Sequence, residues 1–283
     1  MQERKLRPGP PGHILGSAMA WNPQQYLKFA GERLRPGLDL LAQIGELPPG
    51  PLYDLGCGTG PHARAIAAQW PGRELSGIDN SAAMLAEAAK EPSSIRWVEA
   101  DIATWRAPQK AALLYSNATL HWLTRHEALF PRLFGELVAG GVFAVQMPRN
   151  FDNPSQTLFR ETARSGPWAE RLAPFFDPDN PSPSLLRPDP VGTPEFYYDL
   201  LSPVAKGGLD LWETEYVHQL RGENAVLEWM RGTTLRPTLD ALGPRLAEEF
   251  LGVYSDKLRH AFPRRADGKT LLHFRRIFVI ARA

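Results

Sequence analysis

Ten residues constrain this chain more than any others: Pro51-Leu-Tyr-Asp-Leu-Gly-Cys-Gly-Thr-Gly60. A short apolar run ends around Asp54, glycines follow at alternate positions (Gly56, Gly58, Gly60), and a helical segment, His62–Trp70, comes next. The pattern predicts a strand, a tight turn and a helix. In such a turn the backbone comes close to a ligand, because glycine has no Cβ and tolerates positive φ. The N–H groups at the helix start then offer partial positive charge to an anionic group. The motif lacks the Gly-Lys-Ser/Thr of a phosphate-cradling P-loop. Its Gly-x-Gly-x-Gly spacing also differs from the Gly-x-Gly-x-x-Gly of dinucleotide-binding turns.

Three later segments extend the pattern. Glu74-Leu-Ser-Gly-Ile-Asp79 reads as a second buried strand ending in an acid that is placed to accept hydrogen bonds from ribose hydroxyls. Ile95–Ile102 reads as a third strand ending at Asp101, an acceptor for an exocyclic amine. Ala111–Trp122 reads as a fourth strand with Asn117, His121 and Trp122 just past its end. All four features fall at strand carboxyl ends, where doubly wound sheets bind their ligands.

Strand and helix patterns alternate from Pro51 to Met147, which predicts a mostly parallel sheet with helices on both faces. Residues 21–45 read as helical, broken at Arg35-Pro36. A fourth helix is expected over Arg125–Val138, stopped by Gly140-Gly141, with a fifth strand over Val142–Met147. Ten prolines punctuate Phe151–Gly208, so short helices and loops are expected there, forming a substrate cap over residues 150–208. Residues 209–283 complete the sheet and cap: a strand over Leu209–Gln219, helices over Glu223–Arg231 and Pro244–Ala261, and a last strand over Leu271–Ala283. Residues 1–18 read as a disordered extension before a core of residues 19–149. The recognisable pattern opens at Met19, which leaves open whether the extension belongs to the natural chain.

Composition removes several classes. A formal net charge of +1 over 283 residues supplies no global field for nucleic acid or acidic membranes. No apolar run approaches the roughly 20 residues that span a bilayer. A single cysteine rules out an internal disulfide and suits a reducing compartment, so a cytoplasmic protein is expected, and a monomer is the default. No metal ligand set is assigned.

Asp54-Leu-Gly-Cys-Gly-Thr-Gly60, with acids ending the next two strands, resembles the class I S-adenosylmethionine-dependent methyltransferases. Motifs over most of the chain resemble the trans-aconitate methyltransferases among them. These are Trp21-Asn-Pro-Gln-Gln-Tyr26, Glu32-Arg33-Leu-Arg-Pro36, Asn117–Trp122, Val145–Pro148, Phe196–Leu200, Tyr216–Gln219, Leu235-Arg236-Pro237 and Arg276–Arg282. The first 18 residues and a stretch around Ser165–Pro190 depart from that pattern. The resemblance implies a Rossmann-like fold with an antiparallel last strand. It also implies S-adenosyl-L-methionine as cofactor and S-adenosyl-L-homocysteine as product. Gly56, Gly58 and Gly60 would hold the cofactor's methionine part, Asp79 the ribose and Asp101 the adenine, between Met84 and Ile102. Asn117 joins this set, and Asp54 orients the glycine loop.

The implied reaction is carboxyl O-methylation of trans-aconitate to a monomethyl ester. A carboxylate is already ionised at neutral pH, so no general base is needed and no catalytic residue is assigned; orientation does the work. A tricarboxylate requires cations and donors, and arginine forks match carboxylates. The candidates are Arg149 and Arg236 ahead of Arg33, with Tyr197, Tyr198 and His218 as neutral donors. Trp21 and Trp122 would close the pocket, and His121 is read as a neighbour hydrogen-bonded to the loop. Two alternatives stand: a methyltransferase for another small molecule, and a cofactor-binding protein without turnover.

Overall fold

The computed structural model describes residues 30–177, 186, 190–232 and 234–283, with side chains from Leu34 onward. Helix Ala30–Ala42 (α1) leads into Leu52–Leu55 (β1), Pro61–Gln69 (α2), Leu75–Asp79 (β2), Ala82–Ala88 (α3) and Arg96–Glu99 (β3). Ala111–Asn117 (β4), a 3-10 turn at Leu120–Trp122, His126–Phe134 (α4) and Leu137–Pro148 (β5) follow. The strands form one seven-stranded sheet. Its order is β3-β2-β1-β4-β5, then Lys269–Arg282 (β7), then Gly208–Arg221 (β6) at the edge. The first five strands pair in parallel, while β7 runs antiparallel to both β5 and β6. The order reverses between β1 and β4, and a crevice opens at their carboxyl ends at such a switch point.

Central strands of a parallel sheet are covered on both faces, which is why β4 is buried throughout and nearly all apolar. On one face, α1 and α2 close over Leu52, Leu113, Tyr115, Val142, Phe278 and Ile280. On the other, α4 and Pro194–Leu201 (α7) close over Leu55, Leu114, Phe143, Val145 and Val279. A third cluster builds the cap from Pro154–Arg164 (α5), Ala169–Leu172 (α6), Ala225–Arg231 (α8) and Arg236–Ala261 (α9). It packs Phe159, Trp168, Trp229, Phe250 and Tyr254 onto Leu220 of β6 and Leu272 and Phe274 of β7.

The expected boundaries shift in four places, each for a local reason. Pro36 sits inside α1 and does not break it, because the helix is fastened from outside. The His62 ring reaches the Leu34 carbonyl at 3.2 Å, and Tyr115 donates to the Gly37 carbonyl at 2.8 Å. The fourth helix ends at Phe134, stopped by Gly135, whose N–H bonds to the Pro131 carbonyl at 2.9 Å. The Gly140-Gly141 pair instead lies within β5, which begins at Leu137 opposite Ala111. A Cβ on Gly141 would stand 2.8 Å from the Ala111 carbonyl, so the close strand approach there needs glycine. The last helix begins at Arg236, before Pro244, and Gly243 breaks it with φ +71. In the cap, Pro154 and Pro194 start helices at their first position, after Asn153 and Thr193 caps. Pro154 thereby opens an 11-residue helix, longer than the proline density suggests.

Candidate active site

The turn after β1 is held from two sides. Gly56 and Cys57 donate their N–H groups to the Ile78 carbonyl of β2 at 2.7 and 3.0 Å. From the β4 side, Thr119 donates its hydroxyl to the Gly56 carbonyl at 3.2 Å. Gly56 has φ +78, and a Cβ there would fall 2.1 Å from the Thr119 side chain. Gly58 has φ +55 but a Cβ there would meet nothing within 4 Å, so its face of the turn is open. Burial pushes the Cys57 thiol up, leaving a packed thiol and no nucleophile.

Two acids converge on this turn. Asp79, at the end of β2, accepts from Gly58 N and Ser81 N, each at 2.9 Å, and burial raises its carboxyl. Asp54 is 1 % exposed, and its Oδ2 has no partner among the described residues. Burial, and then the Asp79 charge, push its carboxyl up to about 8. An open turn beside a buried, unpartnered carboxylate oxygen fits a ligand that brings a cation, as the α-ammonium of S-adenosylmethionine does. Beyond β3, Asp101 is exposed and accepts from Ala103 N at 2.9 Å in a local turn, with Ile102 buried next to it. Met84 is buried on the first turn of α3. These residues therefore line one continuous strand edge.

The other half of the edge lies past β4 and β5. Asn117 is buried with Oδ1 unpartnered among the described residues, and Ala118 adopts φ 51 as the chain turns away. His121 is buried, its ring 4.9 Å from that of Trp122. Burial, then the charges of Arg276 and His126, push its imidazole down to about 3.

The substrate candidates separate. Trp21 lies outside the described residues, and Arg33 is described only as backbone in α1. Tyr198 is 55 % exposed, whereas Tyr197 is fully buried. The Tyr197 hydroxyl donates to His126 Nδ1 at 2.7 Å and accepts from Gly192 N at 3.2 Å. It braces the core between α4 and α7 and takes no place as a substrate donor. Arg149 is likewise engaged in holding the fold. Its Nη1 pairs with Glu213 Oε1 at 2.6 Å, and its Nε donates to the Gly192 carbonyl at 3.2 Å. Arg236 faces Asp240 one turn along its own helix at 3.6 Å. His218 is buried and stacks on Trp229 at 4.6 Å.

Sequence reasoning alone does not single out Arg276. It occupies an inward position in the run Leu272, Phe274, Arg276, Phe278, Ile280 on β7 and is only 4 % exposed. A charge in an otherwise apolar alternation is the available signal. Its neighbour Gln146, on β5, escapes notice for the same reason: it lies inside an apolar strand and is fully buried.

A seven-stranded sheet of this order, with a glycine turn and an acid ending β2, is the architecture of Rossmann-like methyltransferases. Residues 52–141 match a family described as "Methyltransferase domain". The chain is 43 % identical to a trans-aconitate 2-methyltransferase of Sinorhizobium fredii, over 93 % of this chain and 98 % of that one. It is 40 % identical to the enzyme of the same name from Rhizobium meliloti, with the same coverage of both chains. Among solved structures, the YcgJ protein of Bacillus subtilis shares the fold at 15 % identity with a TM-score of 0.54, covering 88 % of this chain and 98 % of that one. The chain belongs to the trans-aconitate 2-methyltransferase family of S-adenosylmethionine-dependent enzymes.

Proposed function

We propose that this enzyme transfers a methyl group from S-adenosylmethionine to a carboxylate of trans-aconitate, forming a monomethyl ester. The observation that carries the reading is Arg276, a guanidinium only 4 % exposed at the carboxyl edge of β5, in contact with the Gln146 amide. The His121 imidazole, held near pKa 3, is too weak a base to take a proton from a phenol or a carbon acid. A carboxylate arrives ionised, needs no base, and is drawn to the buried guanidinium.

When bound, the cofactor supplies a methyl group on a sulfonium centre, open to in-line displacement. The chain's contribution is position. Asp54 would accept from the cofactor's ammonium, Asp79 from the ribose hydroxyls, and Asp101 from the adenine amine, with Met84 and Ile102 as apolar walls. The backbone at Gly56, Gly58 and Gly60 lets the ligand lie close, and Asn117 bounds it on the β4 side. Trp122 and His121 shape the acceptor end, and Trp21 and Arg33 remain in the acceptor set. Orientation of this kind is worth about 7–11 kcal/mol of barrier. A single packed cysteine supports a reducing compartment, the cytoplasm, with a monomer acting on a freely diffusing acid.

Methyl transfer from labelled S-adenosylmethionine tests the proposal, with trans-aconitate, cis-aconitate, citrate and isocitrate as acceptors. Base-labile label on trans-aconitate is expected. No transfer to any of the four, with cofactor binding intact, would remove the substrate assignment.

A further inference from the structure

We propose that Arg276 and Gln146 form a buried carboxylate subsite that holds a non-reacting carboxylate of the substrate and sets the preference for a tricarboxylate over a dicarboxylate. The inference rests on the carboxylate reading above and specifies how that substrate is selected.

The inward positions of β7 cross from one core into another. Phe278 and Ile280 belong to the cluster under α1, whereas Leu272 and Phe274 belong to the cap. Arg276 falls where the two meet, at the carboxyl edge of the parallel strands. Its guanidinium lies 4.4 Å from the centre of the Phe274 ring and 6.0 Å from that of Tyr216. Tyr216 is tied to α1 by a hydrogen bond from its hydroxyl to Asp39 Oδ2 at 2.7 Å. Two walls of different origin thus hold one cation.

The adjacent groups suit an anion. Arg276 Nη1 donates to Gln146 Oε1 at 3.4 Å, at the long end for such a bond. That contact turns the Gln146 amide so that Nε2, a donor, is left buried without a partner among the described residues. Asn150, just past the backbone bond from Arg149 N to the Arg275 carbonyl, is also buried with both amide atoms unpartnered among the described residues. A guanidinium touching one amide with an unused donor, with a second unpartnered amide two residues beyond the end of β5, is a carboxylate-binding set. For folding alone an apolar residue at this position would serve as well or better, since replacing buried charge by well-packed apolar side chains is often neutral or stabilising. The held carboxylate is a non-reacting one, because a guanidinium fork engages the same oxygen lone pairs that must attack the methyl group.

The test compares the wild type with Arg276→Gln and Arg276→Lys. Acceptors are trans-aconitate, mesaconate (which lacks the acetate-arm carboxylate) and cis-glutaconate (which lacks the carboxylate on the double bond's substituted carbon and keeps the other two on the same side, as in trans-aconitate). Removing one partner of a buried charged pair predicts that Arg276→Gln raises the KM for trans-aconitate about 30-fold or more. The preference over at least one dicarboxylate should collapse, with affinity for S-adenosylhomocysteine unchanged. Arg276→Lys keeps the charge without the fork and should recover part of the preference. Retention of the wild-type preference over both dicarboxylates overturns the subsite while leaving the carboxylate reading intact. If Arg276→Gln shows no cooperative melt, Arg276→Lys decides: a preference narrowed about tenfold supports the subsite, an unchanged one overturns it. A wild type that binds S-adenosylhomocysteine but methylates none of the three acids refutes the carboxylate reading and the subsite with it.

Discussion

Asp54 offers the sharpest quantitative prediction. Its carboxyl is displaced from 3.8 to about 8 by burial and by the Asp79 charge. At pH 6.5 a group with that pKa is roughly 3 % ionised. Binding the cofactor's ammonium requires the ionised form, so apparent affinity is the intrinsic value scaled by that small fraction. Affinity should therefore rise about tenfold per pH unit below 8, or about 30-fold between pH 5.5 and 7. Over that range the cofactor's own α-amino group stays largely protonated, with a reference pKa of about 7.7–8.0. Each binding event near pH 6.5 should release close to one proton. Calorimetric titration with S-adenosylhomocysteine, in buffers of different ionisation enthalpy, measures this release directly. Asp54→Asn should abolish both the proton release and the slope, leaving weaker, pH-flat binding. The same shift sets a stability trend. Between about pH 4 and 8 the folded state holds a proton that the unfolded state has lost, so this group's contribution to stability falls as pH rises through that window. Asp54→Asn should therefore raise the apo melting temperature more at pH 8 than at pH 4. Binding enthalpies independent of buffer in the wild type would refute the reasoning, because Asp54 would then not change ionisation on binding.

Asp79→Ala removes the acceptor that anchors Gly58 N and Ser81 N as well as the proposed ribose contact. At about 1.5–3 kcal/mol per hydrogen bond to a charged group, S-adenosylhomocysteine affinity should fall about 100-fold or more, and unchanged binding would remove the assignment. Gly56→Ala and Gly58→Ala should differ: both cost about 1–2 kcal/mol of left-handed strain, but only the first also drives a Cβ into Thr119. Gly56→Ala should therefore melt markedly lower than Gly58→Ala, while Gly58→Ala loses chiefly cofactor affinity; equal melting temperatures would contradict this. Arg149→Ala breaks the Glu213 pair and the Gly192 bond, so it should lower the melting temperature yet leave the trans-aconitate KM within about twofold. A tenfold rise in KM would return Arg149 to the pocket.

The glycine turn, the acids at the ends of β1 and β2, and the alternation up to β5 were legible because each is a local pattern. A strand of period two, a turn needing positive φ and a helix of period 3.6 are written within ten or twenty residues. Helix limits were less legible where a distant contact decided them, as where His62 and Tyr115 fasten α1 through Pro36. The acceptor end was the least legible part. Arg149, Arg236 and Tyr197 are the residue types a tricarboxylate needs, and the one local mark that separates Arg276 from them is its place in an apolar alternation. Only the insertion of β7 between β5 and β6 puts Arg276 on an inward face diagonal to Gln146, where it is 4 % exposed. The same assembly gives Arg149 to Glu213, 64 residues away in sequence, and Tyr197 to His126, 71 away. The sequence by itself determined the cofactor turn and the layered sheet, since those follow from backbone geometry over short spans. The tertiary structure decided which cation is buried and which are engaged elsewhere, because desolvation and ion pairing depend on neighbours that the chain brings together only on folding.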